Sequence, residues 1–458
     1  MRNRATFPIA ALAVLAVLAM ALDARASGFY VGEQDSAASA RGLAVTAKLM
    51  EPSTLFFNPA GIAFLDGVNA SLGFTAIVPT FKYSDPAGLR QSADSKSGVI
   101  WDPHLYLTYT FGKKAAIGLG FNAPFGLVLE WPEGWAGQEQ IQKIDLKVPT
   151  LYLGAAARPI PQLAIGVTLR VMPATVMLQR GFLLMDGSGN PAEGSIKLSA
   201  SAVGFGASLG IMARPLDWLH IGFSYLSQVN FEFNNGEGKF TLPEGFDNTL
   251  FHDQKGTTKI TTPDTLAFGI GFDVHPDVTL ELDYNYTLWE TYDQLKIEFD
   301  NDPSGQLSEA QVKNWKNTHC VRLGLEYKWQ NTVKARLGLV WDQSPAPDKT
   351  LGPELPDADR LVWTVGLGYE YHPLGIKLDA YYLMTSFLSR TVKADVNPNF
   401  PAKYQGRAHL IGVTVGYGTP PKKEVPPPPK TDEPAPPAPP PADPAPAPAP
   451  EPAATPST

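Results

Sequence analysis

The sequence contains a single cysteine, Cys320, among 458 residues. One thiol excludes an internal disulfide framework and any metal site built on several cysteines. Positive charge is not in excess either, because 37 Lys and Arg residues face 45 Asp and Glu residues and give a net charge of −8. Such a chain lacks the basic footprint that nucleic acid requires. We therefore expect no cofactor, no metal ion and no nucleic acid as partner.

Long apolar runs are also missing after the N-terminus, since no later segment approaches the roughly 18 apolar residues of a membrane-spanning helix. The one early run, Ile9–Leu22, is too short to span a bilayer comfortably. It follows Arg2 and Arg4 and precedes a small-x-small pattern at positions 24–26. These three features predict an export signal over residues 1–26, with an uncleaved anchor as the alternative.

Motifs that would carry catalysis are absent from the sequence. No Gly-x-Ser-x-Gly elbow and no zinc-ligand spacing occurs. Of the seven histidines, His275 and His372 precede proline in turns, and strand parity turns His104 and His220 inward. An inward histidine in a polar interior is more simply a solvated side chain than a base. We expect no enzyme.

What fills the sequence between residues 67 and 418 is a period-two alternation of apolar with polar or small residues. From Val278 to Leu288, for example, Val, Leu, Leu, Tyr, Tyr and Leu alternate with Thr, Glu, Asp, Asn and Thr. This pattern is typical of strands with one solvated face. Fourteen such runs start near residues 67, 97, 115, 143, 163, 195, 218, 257, 278, 316, 333, 359, 375 and 404.

The connections between these runs alternate in length. Tight turns, as at 112–114 and 330–331, alternate with long polar loops, as at 235–256. An even strand number with short turns on one side predicts an all-β fold, a 14-stranded antiparallel transmembrane β-barrel of the outer membrane over residues 67–418. Aromatic residues near strand ends, such as Trp329 and Tyr369, suit interfacial girdles. A soluble β-sandwich also alternates, but its strands are shorter and its apolar face packs inward.

Residues 27–66 lack this alternation and contain small residues and short apolar stretches. The segment closes on Asn58, Pro59, Ala60 and Gly61, where Asn caps its own backbone, Pro fixes φ and Gly permits a turn. We expect a compact hatch, or plug, inside the barrel. Charged residues in it could meet inward-facing charges of the strands. A water-filled polar pore is the other interpretation of those inward charges.

The C-terminal segment 419–458 consists mainly of Pro and Ala with scattered charges. Such a composition cannot bury a core, and we expect a disordered or polyproline-II tail in the periplasm. It serves either as a spacer or as a contact with a periplasmic or cell-wall partner. The sequence does not choose between these two roles.

The third predicted strand is interrupted by a proline flanked by glycines. Proline donates no ladder hydrogen bond, and nearby glycines weaken strand pairing further. The interruption is either a bulge near a rim or a gap through which an apolar molecule leaves sideways into the bilayer. Its residues are Asn122, Ala123, Pro124, Phe125 and Gly126.

The fifth predicted strand changes character along its inward face. After Arg170 the inward positions are Met172, Ala174, Val176 and Leu178, so the inner wall becomes apolar toward the outside. An apolar wall favours capture of a hydrophobic solute. Arg170 is an inward candidate for binding a carboxylate.

These features together resemble the FadL/TodX family of outer-membrane transporters for long-chain fatty acids and other hydrophobic compounds. The resemblance implies a hatch-filled barrel of fourteen strands and a passive mechanism. Substrate would be captured at an outer apolar groove, pass a pocket beside the hatch N-terminus and leave through the third strand. It also implies that Phe29 contacts substrate. The residues that carry the resemblance lie at 28–29, 33–34, 40–43, 58–61, 122–126, 131–132 and 135–137.

Two other functions stay open at this point: a general porin for polar solutes, and a structural barrel tethered to the cell wall by its tail. The expected partners are hydrophobic small molecules, outer-membrane lipid and the barrel-assembly machinery. The sequence names neither the substrate nor the oligomeric state.

Overall fold

The computed structural model describes residues 28–185, 190–243, 246, 251–302, 305, 307–308 and 310–420. The predicted export signal at 1–26 lies outside these ranges, as does the predicted tail apart from residues 419 and 420. Within the described ranges, no helix is both long enough and apolar enough to cross a membrane.

Strands dominate the described residues. In chain order they are β1 (Val68–Ser84), β2 (Ala93–Asp94), β3 (Ile100–Phe111), β4 (Ala115–Glu130), β5 (Lys143–Ile160), β6 (Leu163–Met185), β7 (Pro191–Leu216), β8 (Leu219–Leu226), β9 (Val229–Thr241), β10 (Gln254–Thr262), β11 (Thr265–His275), β12 (Val278–Thr287), β13 (Gln294–Phe299), β14 (Ala310–Val312), β15 (Thr318–Trp329), β16 (Val333–Asp342), β17 (Arg360–Tyr371), β18 (Ile376–Val392) and β19 (Ala402–Gly418). The helices are single turns: α-helical at Ser36–Ser39 and Thr54–Phe57, and 3-10 at Pro59–Phe64, Trp289–Thr291 and Asp348–Thr350.

Fourteen of these strands close into one antiparallel barrel, which confirms the predicted fold class and strand number. Each ring strand pairs with the ring strand that comes next in the sequence, and β19 pairs with β1 to close the ring. The ring consists of β1, β3 to β8, β11, β12 and β15 to β19. Strands β9, β10, β13 and β14 form a sheet that continues from β7 beyond the ring.

The predicted start of the eighth ring strand, near residue 257, is wrong. The run near residue 257 is β10, which pairs with β9 and β13, whereas the ring strand β11 begins at Thr265. The reason is that the sheet beyond the ring alternates with the same period of two as the wall. Hydrophobic period alone does not separate the two sheets.

Apolar side chains of the ring point outward and are exposed, while their neighbours in sequence point inward and are buried. On β16, for example, Leu337 and Leu339 are exposed and Arg336 and Val340 are buried. This is the reverse of a soluble sandwich, in which the apolar face is the buried one.

Residues 28–65 lie against the inner faces of the ring strands and are almost entirely buried. The wall makes room for them by presenting glycine. A Cβ added at Gly222 would collide with the Thr46 carbonyl, and one at Gly338 would collide with the Gly42 nitrogen. The backbone of this segment, which we call the hatch, therefore touches the backbone of the wall directly.

Charged side chains bind the hatch to the wall. The Arg41 guanidinium lies 2.6 Å from the Glu281 carboxylate, and both side chains are buried. The Lys48 ammonium pairs with Asp273, and the Glu51 carboxylate pairs with Lys377 at 2.9 Å. The Asp283 carboxylate accepts hydrogen bonds from the Val45 and Thr46 amides, both at 2.8 Å. These contacts, which we call the clamp, agree with inward wall charges that hold the hatch. The clamp residues are Arg41, Val45, Thr46, Lys48, Glu51, Asp273, Glu281, Asp283 and Lys377.

Candidate functional site

The wall is interrupted between β3 and β4. Their pairing runs from Phe111 opposite Ala115 to Leu105 opposite Phe121 and goes no further among the described residues. Beyond Phe121, β4 continues to Glu130. The Glu130 carbonyl accepts a hydrogen bond from the Lys96 amide at 2.8 Å. Between these two points lies a stretch of β4, residues 122–129, without β3 as its partner. We call this stretch the wall gap.

On its other edge, β4 bulges within the same stretch. Asn122 lies opposite Thr150 and Phe125 opposite Val148, so β4 carries one residue more than β5 between these pairs. Such a bulge bends the strand, and Pro124 lacks the amide that a regular ladder would need. The predicted kink residues 122–126 thus lie in the wall gap.

The base of the gap is held by a buried carboxamide. The Asn122 side chain donates to the Tyr106 hydroxyl at 2.8 Å and accepts from the Tyr152 hydroxyl at 2.8 Å. Because all three side chains are buried, each partner satisfies a polar group that would otherwise be costly. This network fixes where the departure of β4 from β3 begins.

The start of the hatch occupies the backbone edge that β3 leaves. The Val31 amide donates to the Pro124 carbonyl at 2.9 Å, and the Gly126 amide donates to the Phe29 carbonyl at 3.1 Å. Tyr30 lies opposite Phe125 as an antiparallel bridge. Residues 29–31, which we call the hatch strand, therefore stand in for the missing part of β3.

An apolar pocket lies directly against the hatch strand. It encloses about 1120 Å³ of empty space, counting its open mouth. Phe29 belongs to its lining, and so does Leu127 of the wall gap. The other apolar residues of the lining are Ile141, Ile144, Leu146, Val176, Leu178, Leu198, Ala200, Ile260, Tyr292, Leu295, Ile297, Trp315 and Leu355.

Aromatic rings hold Phe29 in place. Its ring centroid lies 4.9 Å from that of Trp289 and 6.0 Å from those of Phe125 and Trp315. Gly28, just before it, has φ of +62°, and a Cβ there would press against the rings of Trp289 and Trp315. Only glycine combines that backbone with that closeness.

The charges at the pocket are negative. Glu237 and Glu354 are the carboxylates of the described lining, which includes no Lys or Arg. Lys313 is buried beside Glu354 and pairs with it. Burial lowers the pKa of Lys313, but the Glu354 carboxylate outweighs it and leaves that pKa above its ordinary value. In the hatch strand, burial raises the pKa of Tyr30 to about 12.

The predicted substrate residues fall at two levels. Phe29, Val176 and Leu178 line the pocket, whereas Met172 and Arg170 lie deeper along β6 and are buried without lining it. The Arg170 guanidinium donates to the carbonyls of Ser227, at 2.7 Å, and Ala207, at 3.3 Å. Arg170 thereby connects the residue that follows β8 with β7.

We infer from the strand pairing and from a shared lining that the pocket opens between β7 and β9. β7 pairs with β9 over residues 195–199 and with β8 over 208–213, and the edge at 200–206 has no strand partner there among the described residues. Ala200 and Gly236 flank this opening, and a Cβ on Gly236 would lie 3.5 Å from that of Ala200. A groove on the outer surface shares Val176, Ala200 and Glu237 with the pocket. We call this opening the mouth.

Much of the pocket was not foreseen from the sequence. Tyr292, Leu295, Ile297 and Trp315 come from a segment that appeared to be loop, yet residues 294–299 form β13. The signal was present, because Leu295, Ile297 and Phe299 alternate with polar residues. The segment is too short to stand out from a long connection.

Comparison with known proteins places the chain among related sequences. A family model described as outer membrane protein transport protein (OMPP1/FadL/TodX) matches residues 17–418. A protein of Escherichia coli named long-chain fatty acid transport protein is 24% identical over 452 residues, which cover 91% of this chain and 100% of the relative.

Solved structures show the same fold. A Pseudomonas aeruginosa FadL homologue aligns with a TM-score of 0.72 at 17% identity, over 86% of this chain and 100% of the homologue. The Pseudomonas putida toluene transporter TodX aligns with a TM-score of 0.67 at 16% identity, over 87% of this chain and 100% of that protein. At such identities the likeness concerns the fold alone.

Proposed function

The chain belongs to the OMPP1/FadL/TodX family of outer membrane transport proteins, and on that premise we propose that it takes up hydrophobic molecules passively, long-chain fatty acids or similar lipophiles. It is an outer-membrane β-barrel of a transporter family rather than a known enzyme family. The relative named for long-chain fatty acids and the neighbour named for toluene both handle apolar cargo. The apolar lining of the pocket supports the same class of cargo here.

The proposed route has three stages. A lipophile enters at the mouth between β7 and β9, settles in the apolar pocket and leaves sideways through the wall gap. One observation carries the proposal: Phe29 lines the pocket, and its carbonyl accepts the hydrogen bond from Gly126 in the gap. A ligand that displaces the Phe29 ring also acts on the backbone that fills the gap.

The energies are compatible with such a coupling. The hatch strand is held to β4 by two backbone hydrogen bonds, each worth about 1 kcal/mol net. Burying about 200 Å² of ligand apolar surface contributes about 5 kcal/mol. A bound lipophile can therefore outweigh the hydrogen bonds that keep the gap filled, provided that it replaces the apolar contacts of Phe29.

The test is uptake of a labelled long-chain fatty acid by cells that lack their own transporter. The variant regularises β4 by deleting Ala123 and replacing Pro124 with Thr, which removes the extra residue between Asn122 and Phe125. The matched control removes a different wall bulge, the one on β18 between Phe387 and Arg390, by deleting Leu388, the one extra residue there. We expect uptake in the wild type and the control, and none in the β4 variant.

The other outcomes discriminate between functions. Equal uptake by wild type and β4 variant would contradict the exit through the gap while leaving hydrophobic transport in place. No fatty-acid uptake by any form would direct the next assay to aromatic hydrocarbons. A large ion conductance of the purified wild type in planar bilayers would favour a porin instead.

A further inference from the structure

The outward face of β19 and β1 carries a ladder of cations beyond the apolar band. The outward residues of the apolar band on β19 are Ile411, Val413 and Val415. Toward the start of β19, the outward positions beyond His409 are Arg407, Gln405 and Lys403. In the register of the two strands, Arg407 lies opposite Thr80, Gln405 opposite Lys82 and Lys403 opposite Ser84. Cations thus occupy three successive rungs, alternating between the strands.

The ladder begins where a lipid headgroup would lie. His409 accepts or donates a 2.8 Å hydrogen bond with the hydroxyl of the exposed Tyr382, the last outward aromatic residue of β18. Aromatic side chains of this kind mark the interface between hydrocarbon and headgroups. Arg407 is the next outward position on β19, about 7 Å further along the strand.

The cations open onto a polar groove of about 900 Å³, counting the space open to solvent. Lys82 and Arg407 line it together with one carboxylate, Asp94. Its neutral lining is rich in hydroxyl and amide groups. These residues are Thr80, Ser95, Ser97, Ser386, Ser389 and Gln405.

The positive charge of this ladder exceeds the negative charge beside it, because Asp94, which lies opposite Lys82, is the one carboxylate in the described lining of the groove. Lys82, Lys403 and Arg407 are exposed, and none of them forms an ion pair with a described residue. The cations on the other side of the wall gap differ. Lys96 pairs with Glu130 at 2.7 Å, Lys143 with Glu130 at 2.6 Å and Lys147 with Asp145 at 2.8 Å.

We propose that this groove binds the phosphate groups of a glycolipid in the outer leaflet. Arginine grips phosphate with paired N–H donors and lysine attracts it as a point charge, while serine hydroxyls suit phosphate and sugar oxygens. Clustered cations at the membrane surface attract anionic lipid. Along the outward face of β19, Arg407 is followed after His409 by Ile411 and Val413 of the apolar band, where acyl chains would lie. That continuity favours a lipid over free phosphate.

The test measures binding of a bis-phosphorylated lipid A to the purified full-length protein in detergent by native mass spectrometry. The variant combines Lys82→Gln with Arg407→Gln. The control combines Lys113→Gln with Lys114→Gln, which removes the same charge from an exposed turn between β3 and β4 at the opposite rim. Both changes lie on the surface, so each barrel should keep the faster gel migration that the compact folded protein shows when it is not heated.

We expect the groove variant to lose about 30-fold in affinity, from about tenfold for each 1.4 kcal/mol and about 1 kcal/mol for each cation. The control should bind like the wild type, and lipid A without its phosphates should bind all three proteins equally weakly. Equal affinity of wild type and groove variant for lipid A would overturn the proposal. So would displacement of the lipid by inorganic phosphate at an equal concentration, which would assign the groove to free phosphate.

Discussion

The hatch is attached to the barrel in two different ways. Residues 41–51 are held by the clamp, in which buried ion pairs and a carboxylate bound to two amides join hatch and wall. Residues 29–31 are held by two backbone hydrogen bonds to β4 and by packing of aromatic rings. One part is secured by charges with fixed partners, and the other by contacts that a ligand could replace.

This difference in attachment suits the two parts of the hatch to different tasks. A buried ion pair is lost at high cost, because the charge left behind has no water to solvate it. Apolar contacts can be exchanged for those of another apolar molecule at little net cost, since the hydrophobic effect is non-directional. We therefore infer that the clamp keeps the lumen closed while the hatch strand is the part that yields.

The largest effect is expected from locking the hatch strand to the gap. Tyr30 and Phe125 form a non-hydrogen-bonded antiparallel pair, whose Cα atoms lie about 4.5 Å apart, within the range that a disulfide spans. The Tyr30→Cys/Phe125→Cys variant, when oxidised, should lose fatty-acid uptake down to the level of cells without a transporter. The measurement is the initial uptake rate before and after reductant.

Reduction should restore uptake in the locked variant, and each single cysteine variant should be insensitive to oxidant. Native Cys320 lines the same small cavity as Tyr30, so all of these variants are compared in a Cys320→Ser background, which leaves no native cysteine. Full uptake in the oxidised variant would mean that the hatch strand need not move.

An intermediate effect is expected from breaking the clamp. Arg41→Ala leaves Glu281 buried without its partner, so the free energy of unfolding should fall by about 3–5 kcal/mol. Denaturant unfolding in detergent measures this loss. Small-solute leakage through whole cells should rise as well. The matched variant Lys147→Ala removes an exposed ion pair with Asp145 and should cost no more than about 1 kcal/mol. Equal losses in both would show that the hatch is not held by its charges.

The smallest effect is expected at Arg170. Its guanidinium is already engaged by the carbonyls of Ser227 and Ala207, and it does not line the pocket. Arg170→Ala should therefore change the affinity for a fatty acid and for the matching fatty alcohol by the same small factor. Titration of both ligands into purified protein measures this. A selective loss for the fatty acid would identify Arg170 as the partner of the carboxylate.

The wall could be predicted from the sequence because its information is local. Alternation and tight turns place most strand starts within a few residues of those observed. For instance, the predicted starts at 333 and 375 correspond to observed starts at Val333 and Ile376. The misplaced eighth strand shows the limit of that information. Residues 257–262 are strand, but only their partners, β9 and β13, reveal that this strand lies beyond the ring.

The site could be predicted in parts but not as an assembly. Proline in β4 indicated the kink, and strand parity placed Val176 and Leu178 inward. The sequence contains no local signal that Phe29 meets Gly126, or that Arg41 meets Glu281, which is 240 residues away. Such pairs arise only when the ring is closed around the hatch.

The seam between β1 and β19 has a consequence for the order of assembly. The hatch precedes β1, yet it also contacts the last strand, where the Ser36 amide donates to Thr414 across 378 residues of sequence. Contacts of such separation form late, because a long loop must close first. The hatch is synthesised before the barrel strands, yet it is among the last segments to complete its contacts. The pairing of β1 with β19 must therefore form with the hatch already enclosed.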